Sequence, residues 1–262
     1  MNGRIFAGFY SLLSKEVLRF YRVAGQTIFS PLINAALYLL IFGVNLADKI
    51  DTMNGVNYLL FIIPGLMAMA LLNNAFQNAS SSIITSKFHG DFQDLRVVPL
   101  QPLQIVAAYG LAATLRGALV GVCVGIVGQL FHYSMYSTLI PIAAPGWLLL
   151  FMLMGGLTFG FLGLCIAIFS TSFDQVSAIS TFVILPLIYL GGVFFSIESM
   201  HPFWQHLSYL NPLFYIINGV RYGVLGVSDL APYVSIMLAT VFILLAGSLA
   251  FWAVKKGSYT KF

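Results

Sequence analysis

Charge is what this chain has least of. Only 8% of its 262 residues are Asp, Glu, Lys or Arg, against 60% hydrophobic. Soluble domains carry about 25% charged residues, so water is not the main solvent here. None of the acidic residues lies inside a long apolar run; Asp174 and Glu198 sit at or beyond the run ends. That removes the buried carboxylates on which proton- and sodium-driven transporters rely. Cysteine is scarce as well. Cys123 and Cys165 both fall within apolar runs and read as small core residues, not as a disulfide or a metal pair. The histidines His89, His132, His201 and His206 lie in links, without carboxylate or thiol partners at ligand spacing. There is no GxxxxGK followed by Ser or Thr, so the usual phosphate cradle is missing. No HExxH and no GxSxG elbow with a partnered histidine occurs either. The chain is therefore read as a non-enzyme that binds no metal. A net charge of +4 is too small to point to nucleic acid. The N-terminus lacks the short apolar core and small-residue cleavage site of a signal peptide.

What is present is apolar sequence in runs. Six read as membrane spans: about 28–46, from 58 onward, 105–131, 140–169 with its true start near Trp147, 176–192, which is short for a crossing of about 30 Å, and 233–254. They use nearly all of the chain, which is read as one all-α polytopic membrane domain, residues 1–262. Residues 2–26 alternate charged and apolar residues at mostly helical spacing. They read as an amphipathic helix on the membrane surface, within a cytoplasmic segment 1–26. Residues 80–104 form the longest polar link of the first half; 82–95 is expected to be a short separate helix, stopped by Pro99 and Pro102.

Basic residues set the orientation. With the N-terminus inside, the inner segments hold Arg4, Lys15, Arg19, Arg22, Lys87, Arg96, Lys255, Lys256 and Lys261. The outer segments hold only Lys49 and Arg221. Both termini are then cytoplasmic. Within the spans, Asn73, Asn74, Gln77 and Asn78 cannot face lipid on all sides. They glue helices together or line a wet path. Arg116 lies well inside a span, at a cost of about 3 kcal/mol at the bilayer centre. It pairs with a carboxylate, with helix-end carbonyls or with an anionic substrate, and these remain open. Gly155, Gly156, Gly160 and Gly163 permit close helix packing in the fourth span.

Between the fifth and sixth spans, residues 193–229 are too polar and proline-broken to cross a bilayer, yet rich in aromatics. Such segments lie at or dip into the membrane interface. On the inner side, 2–26 and 82–95 mix charge with exposed aromatics. Without a buried carboxylate, work has to come from a partner, and these segments are where one could push.

The run Leu207-Ser208-Tyr209-Leu210-Asn211-Pro212-Leu213-Phe214-Tyr215, continuing through Arg221 to Gly226, resembles the signature of type-2 ABC transporter permeases. Ile63-Pro64-Gly65, the Pro99–Pro102 region and the stretch from Tyr189 to Phe195 are similar to the same family. The likeness covers essentially the whole chain and is nearest to short bacterial inner-membrane permeases with a separate ATPase chain. It implies a permease dimer with two ABC ATPase subunits, in a bacterial inner membrane. ATP and Mg would sit in the partner, leaving this chain without a cofactor. It implies coupling elements at Glu16, Arg19, Phe88, Asp91, Phe92, Asp94 and Arg96. It implies paired re-entrant helices at about 195–209 and 212–224, forming an outer gate with Glu198, Trp204, Asn211, Pro212 and Arg221. It places Asn73, Asn74, Gln77, Arg116, Phe182 and Tyr189 near a path for an amphipathic or hydrophobic substrate. Drugs, lipids, siderophores and lipid-linked glycans all suit such a permease. The competing classes are a channel or secondary transporter without an ATPase, and a non-transporting membrane subunit or intramembrane enzyme.

Overall fold

The computed structural model describes residues 2–44, 55–93 and 100–256. These are mostly helical, with no β-strand among the described residues. The ten α-helices among the described residues are α1 (Asn2–Arg22), α2 (Ala24–Tyr38), α3 (Tyr58–His89), α4 (Pro102–Tyr136), α5 (Pro145–Phe169), α6 (Phe173–Ile179), α7 (Leu185–Leu190), α8 (Pro202–Tyr209), α9 (Pro212–Leu225) and α10 (Pro232–Lys256). A π-helical stretch, Leu39–Val44, extends α2, and another, Ser180–Ile184, joins α6 to α7. Six continuous stretches are long and apolar enough to span a membrane: Ala24–Gly43, Tyr58–His89, Pro102–Tyr136, Pro145–Phe169, Phe173–Leu190 and Pro232–Lys256.

Local chemistry sets the helix ends. Pro102, Pro145, Pro202 and Pro212 stand in the first turn of their helices, where the missing N–H costs nothing. The Asn57 side chain accepts from the Leu59 N–H at 2.9 Å and caps α3. At its other end α3 stops at Gly90, whose φ of 85° is left-handed.

The expected short helix at 82–95 is not a separate element. Residues 82–89 continue α3 without a break, and only a 3-10 turn, Asp91–Gln93, follows Gly90. Ser82 donates to Glu16 of α1, Asn78 accepts from Arg19, and Ser80 and Ser81 donate to carbonyls of α3 itself, so these polar residues do not end the helix. Pro99 and the rest of the link to 99 lie outside the described residues.

Helix α3 is the centre of the bundle. Its span is 83% buried, whereas the first and fifth spans are 17% and 11% buried. Helices α4 and α5 pack on α3, α10 packs on α5, and α9 lies against α3, α5 and α10. Small residues let these backbones approach. A Cβ on Gly117 would lie 2.6 Å from the Leu71 carbonyl oxygen of α3, and Gly163 is pressed against the Phe76 carbonyl. Gly156 and Gly160 meet Thr114 and Ala113 of α4. Without competing water, contacts at this range are what hold membrane helices together.

Candidate functional site

One polar hollow lies against α3. It has a volume of about 400 Å³ and is lined by α2 and α3, with Arg116 of α4. From α2 come Gln26, Thr27, Ser30 and Asn34; from α3 come Asn73, Asn74 and Gln77. Gln77 donates to Asn73 at 3.1 Å, one turn away, and Asn74 donates to the Ala70 carbonyl at 3.0 Å. Pro31 has no N–H to give the Thr27 carbonyl, which adds a further backbone acceptor on α2. A second hollow, of about 320 Å³, shares Gln77 and Arg116 and runs on past Ser80 and Ser81 to Ser177, Ser180 and Thr181 of the fifth span. A polar strip thus crosses the face of α3 between the two loosely packed spans. The amides expected near a path are gathered here. The α2 contribution was readable too, since Gln26, Ser30 and Asn34 recur every four residues, on one helix face.

Phe182 is elsewhere: it projects outward from the π-helical stretch of the fifth span. Tyr189 hydrogen-bonds Tyr38 hydroxyl to hydroxyl at 3.2 Å. Phe194 lies 5.3 Å from the Tyr38 ring, 5.4 Å from Phe42 and 5.8 Å from Tyr189. Tyr38 also lines the hollow, so these four rings bridge the first and fifth spans at its edge. Both spans carry their π-helical stretch next to this bridge, and such stretches are frequent at functional sites.

Helix α1 is fastened to the bundle by its stripe Leu12, Glu16 and Phe20, all buried at a spacing of four. Glu16 is 1% exposed; it accepts from Ser82 at 2.9 Å and from Arg19 at 3.1 Å. Arg19 also donates to the Asn78 carbonyl at 2.8 Å, to its side-chain oxygen at 3.1 Å, and to Ser81 at 3.4 Å. Glu16 is thus turned into the protein, away from any soluble partner. It ties α1 to α3 through Ser82. Phe88 is exposed at the end of α3, edge-on to Phe173 at 6.1 Å, while Phe92 is only 2% exposed and lies under Lys87. Lys87 donates to the Ile168 and Ser170 carbonyls, which close the end of α5. Asp91 is exposed beside Gly90. Asp94 and Arg96 lie outside the described residues.

At the other end, the 193–229 segment forms a 3-10 turn, Ile197–Ser199, followed by α8 and α9. Helix α8 exposes Phe203, Trp204 and Leu207, and Glu198 is exposed ahead of it. Asn211 begins α9, accepting from the Leu213 N–H at 3.0 Å, with Pro212 next to it. Its amide donates to the Leu187 carbonyl at 2.6 Å, and Ser208 donates to Leu190 at 2.9 Å. The elbow between α8 and α9 is thereby bonded to the end of the fifth span.

Arg221, for its part, is wholly buried. It donates to the Gly192 carbonyl, pairs with Asp229 at 3.7 Å and lies over the Phe61 ring at 3.8 Å. Asp229 accepts from Ser196 at 2.6 Å and from the Ile197 N–H at 3.1 Å. Asn218 joins the same network through the Asp229 N–H and Ser235. Burial pulls the Arg221 guanidinium down to about 10 and Asp229 opposes the shift, so it stays charged at neutral pH. Asp229 and Asn218 carry no local sequence signal; only the fold brings them to Arg221.

Residues 7–225 match the family model for ABC-2 type transporters. The chain belongs to that family. Among the relatives of this ABC-2 permease is the inner membrane transport permease YadH of Escherichia coli, 37% identical over 235 residues, which cover 89% of each chain. Nodulation protein J of Neorhizobium galegae is 25% identical over 81% of this chain and 79% of its own. Nodulation protein J of Rhizobium leguminosarum bv. viciae is 23% identical over 81% and 80%.

Proposed function

We propose that this permease is the membrane half of an ATP-driven exporter, worked by two separate ABC ATPase subunits. It moves an amphipathic or hydrophobic molecule out of the cytoplasm or the inner leaflet. The observation that carries the reading is the polar strip across α3, open between the two least buried spans. The polar strip is a place for a passing solute. The bare faces of the first and fifth spans, with Phe29, Ile33, Phe182 and Val183 exposed, suit a second copy of the permease across that path. The relative's inner-membrane name and the charge asymmetry support an inner-membrane location with both termini cytoplasmic.

The bonding gives the proposal a mechanical route. A push on α1 is carried to α3 through Glu16, Arg19 and Asn78. Phe88, Asp91 and the neighbouring link offer the second contact for an ATPase. Movement of the fifth span is carried to the α8–α9 elbow through Ser208 and Asn211. The elbow and its exposed aromatics then act as the outer gate, dipping into the membrane from the outer side. Rigid-body shifts of this kind are the ordinary repertoire of alternating states.

The test uses a protein with Cys123 and Cys165 replaced by Ala, carrying Gln77→Cys, in complex with its ATPase in nanodiscs. A membrane-impermeant thiol reagent should label position 77 at clearly different rates in the resting and ATP-bound states. Equal labelling in both states would overturn the proposal. A channel working without an ATPase predicts that equality and transport by the permease alone.

A further inference from the structure

Arg116 has no carboxylate of its own. Among the described residues the only ion pairs are Arg19 with Glu16 and Arg221 with Asp229. Arg116 is 8% exposed, and its hydrogen bond is a long one, 3.4 Å from Nη1 to the Asn78 side-chain oxygen. That oxygen already accepts from Arg19 at 3.1 Å. Two guanidiniums therefore share one amide oxygen, and Glu16, Arg19 and Arg116 together leave one positive charge over. The Arg116 Nε and the Asn78 Nδ2 have no hydrogen-bond partner. Turning the Asn78 amide over does not help, since it would aim an NH2 at two cations. The Phe20 ring, 5.9 Å from Arg116, adds only a weak cation–π contact. A buried cation with unsatisfied donors inside a membrane is costly, and such residues mark ligand paths. Arg116 also lines both polar hollows, at the point where they meet.

We infer that Arg116 is the anchor of an anion-binding site in the polar strip, which takes the phosphate or carboxylate headgroup of an amphipathic substrate. Arg116 contributes the free donors, and Gln77 and Ser81 border it with neutral ones. Arg19 holds Asn78 in place and adds positive potential. The apolar body of the ligand would lie along the exposed face between the first and fifth spans. The inference rests on the exporter reading and narrows its substrate to an anion.

The full-length permease in phosphatidylcholine nanodiscs is titrated with radiolabelled dodecyl phosphate, with empty nanodiscs subtracted. Inorganic phosphate and unlabelled dodecanol serve as competitors. Saturable binding is expected, weakened about tenfold or more in Arg116→Gln, the loss of a charged hydrogen-bonding partner. Arg116→Lys keeps the charge and should fall between. Equal affinity of the Gln variant and the parent overturns the inference, as does displacement by dodecanol as readily as by dodecyl phosphate. Competition by inorganic phosphate assigns the site to a free anion, and its absence assigns the site to a lipid-like headgroup; both keep the anion site. Gel filtration and the melting midpoint of each variant show that it is folded. ATP turnover with the partner ATPase is measured on the same preparations. Arg116-dependent binding without an ATPase response would keep the site and sink the exporter reading. An ATPase response without Arg116-dependent binding would sink the site alone.

Discussion

Replacing Arg221 by Met should be among the most damaging single changes in the outer segment. The side chain is fully buried, and three things hold it: the Gly192 carbonyl, the Asp229 carboxylate at 3.7 Å and the Phe61 ring at 3.8 Å. Met fills much of the volume but takes the guanidinium away from Asp229. Ser196 and the Ile197 N–H still donate to it, so it is not stripped of partners. Removing one member of a buried ion pair costs about 3–5 kcal/mol. At about 2–4 °C per kcal/mol for chains of this size, the melting midpoint should fall by about 6–20 °C. The assay is thermal unfolding in detergent, followed by intrinsic tryptophan fluorescence and by gel filtration of heated samples. Adding Asp229→Asn to Arg221→Met removes the other charge of the pair, and the double variant should recover part of the loss. A Met variant that melts with the parent would refute the reasoning. So would a double variant that loses as much as the two single variants summed, because the pair would then carry no coupling.

Other consequences follow from burial and contact. Gly117→Val puts a branched side chain against the Leu71 carbonyl, with Cβ at 2.6 Å; it should cost about 1–3 kcal/mol and lower the yield of folded protein on gel filtration. Glu16→Gln weakens the hold on Arg19 and Ser82, so amide hydrogen exchange in α1 should speed up while exchange in α5 stays unchanged. Phe92→Asp, which buries a carboxylate, should lower the melting midpoint, whereas Phe88→Ala should leave it unchanged and weaken capture of the ATPase subunit.

The spans were legible because apolar runs of bilayer length have few alternatives. Pro102, Pro145 and Pro232 then place three of the helix starts within a few residues of the apolar boundaries. The polar strip was half legible: Asn73, Asn74 and Gln77 stand out in an apolar span, but their partners on α2 are ordinary amides and hydroxyls until the helix spacing is noticed. Composition misleads most where a charged residue meets a long-range partner. Glu16 looks like a surface carboxylate and is buried against Ser82, sixty-six positions away. Lys87 looks like an orientation signal and also closes the end of α5. Arg221 looks like an outer-loop charge and is enclosed by Gly192, Asp229 and Phe61. In each case a local pattern gives the residue type its usual solvent-facing role, and a hydroxyl, backbone carbonyl or carboxylate further along the chain supplies a partner. The same limit bears on the misplaced helix at 82–95: Ser82, which reads as the start of a loop, finds its partner Glu16 on α1.

The central claim is that a separate ATPase drives this permease. The most direct measurement is ATP turnover by the candidate ATPase in nanodiscs, with and without the permease, and with the Phe88→Ala permease. The account predicts a stable complex whose turnover differs from that of the free ATPase and is altered by Phe88→Ala. A permease that purifies alone, leaves turnover unchanged and still transports would contradict it.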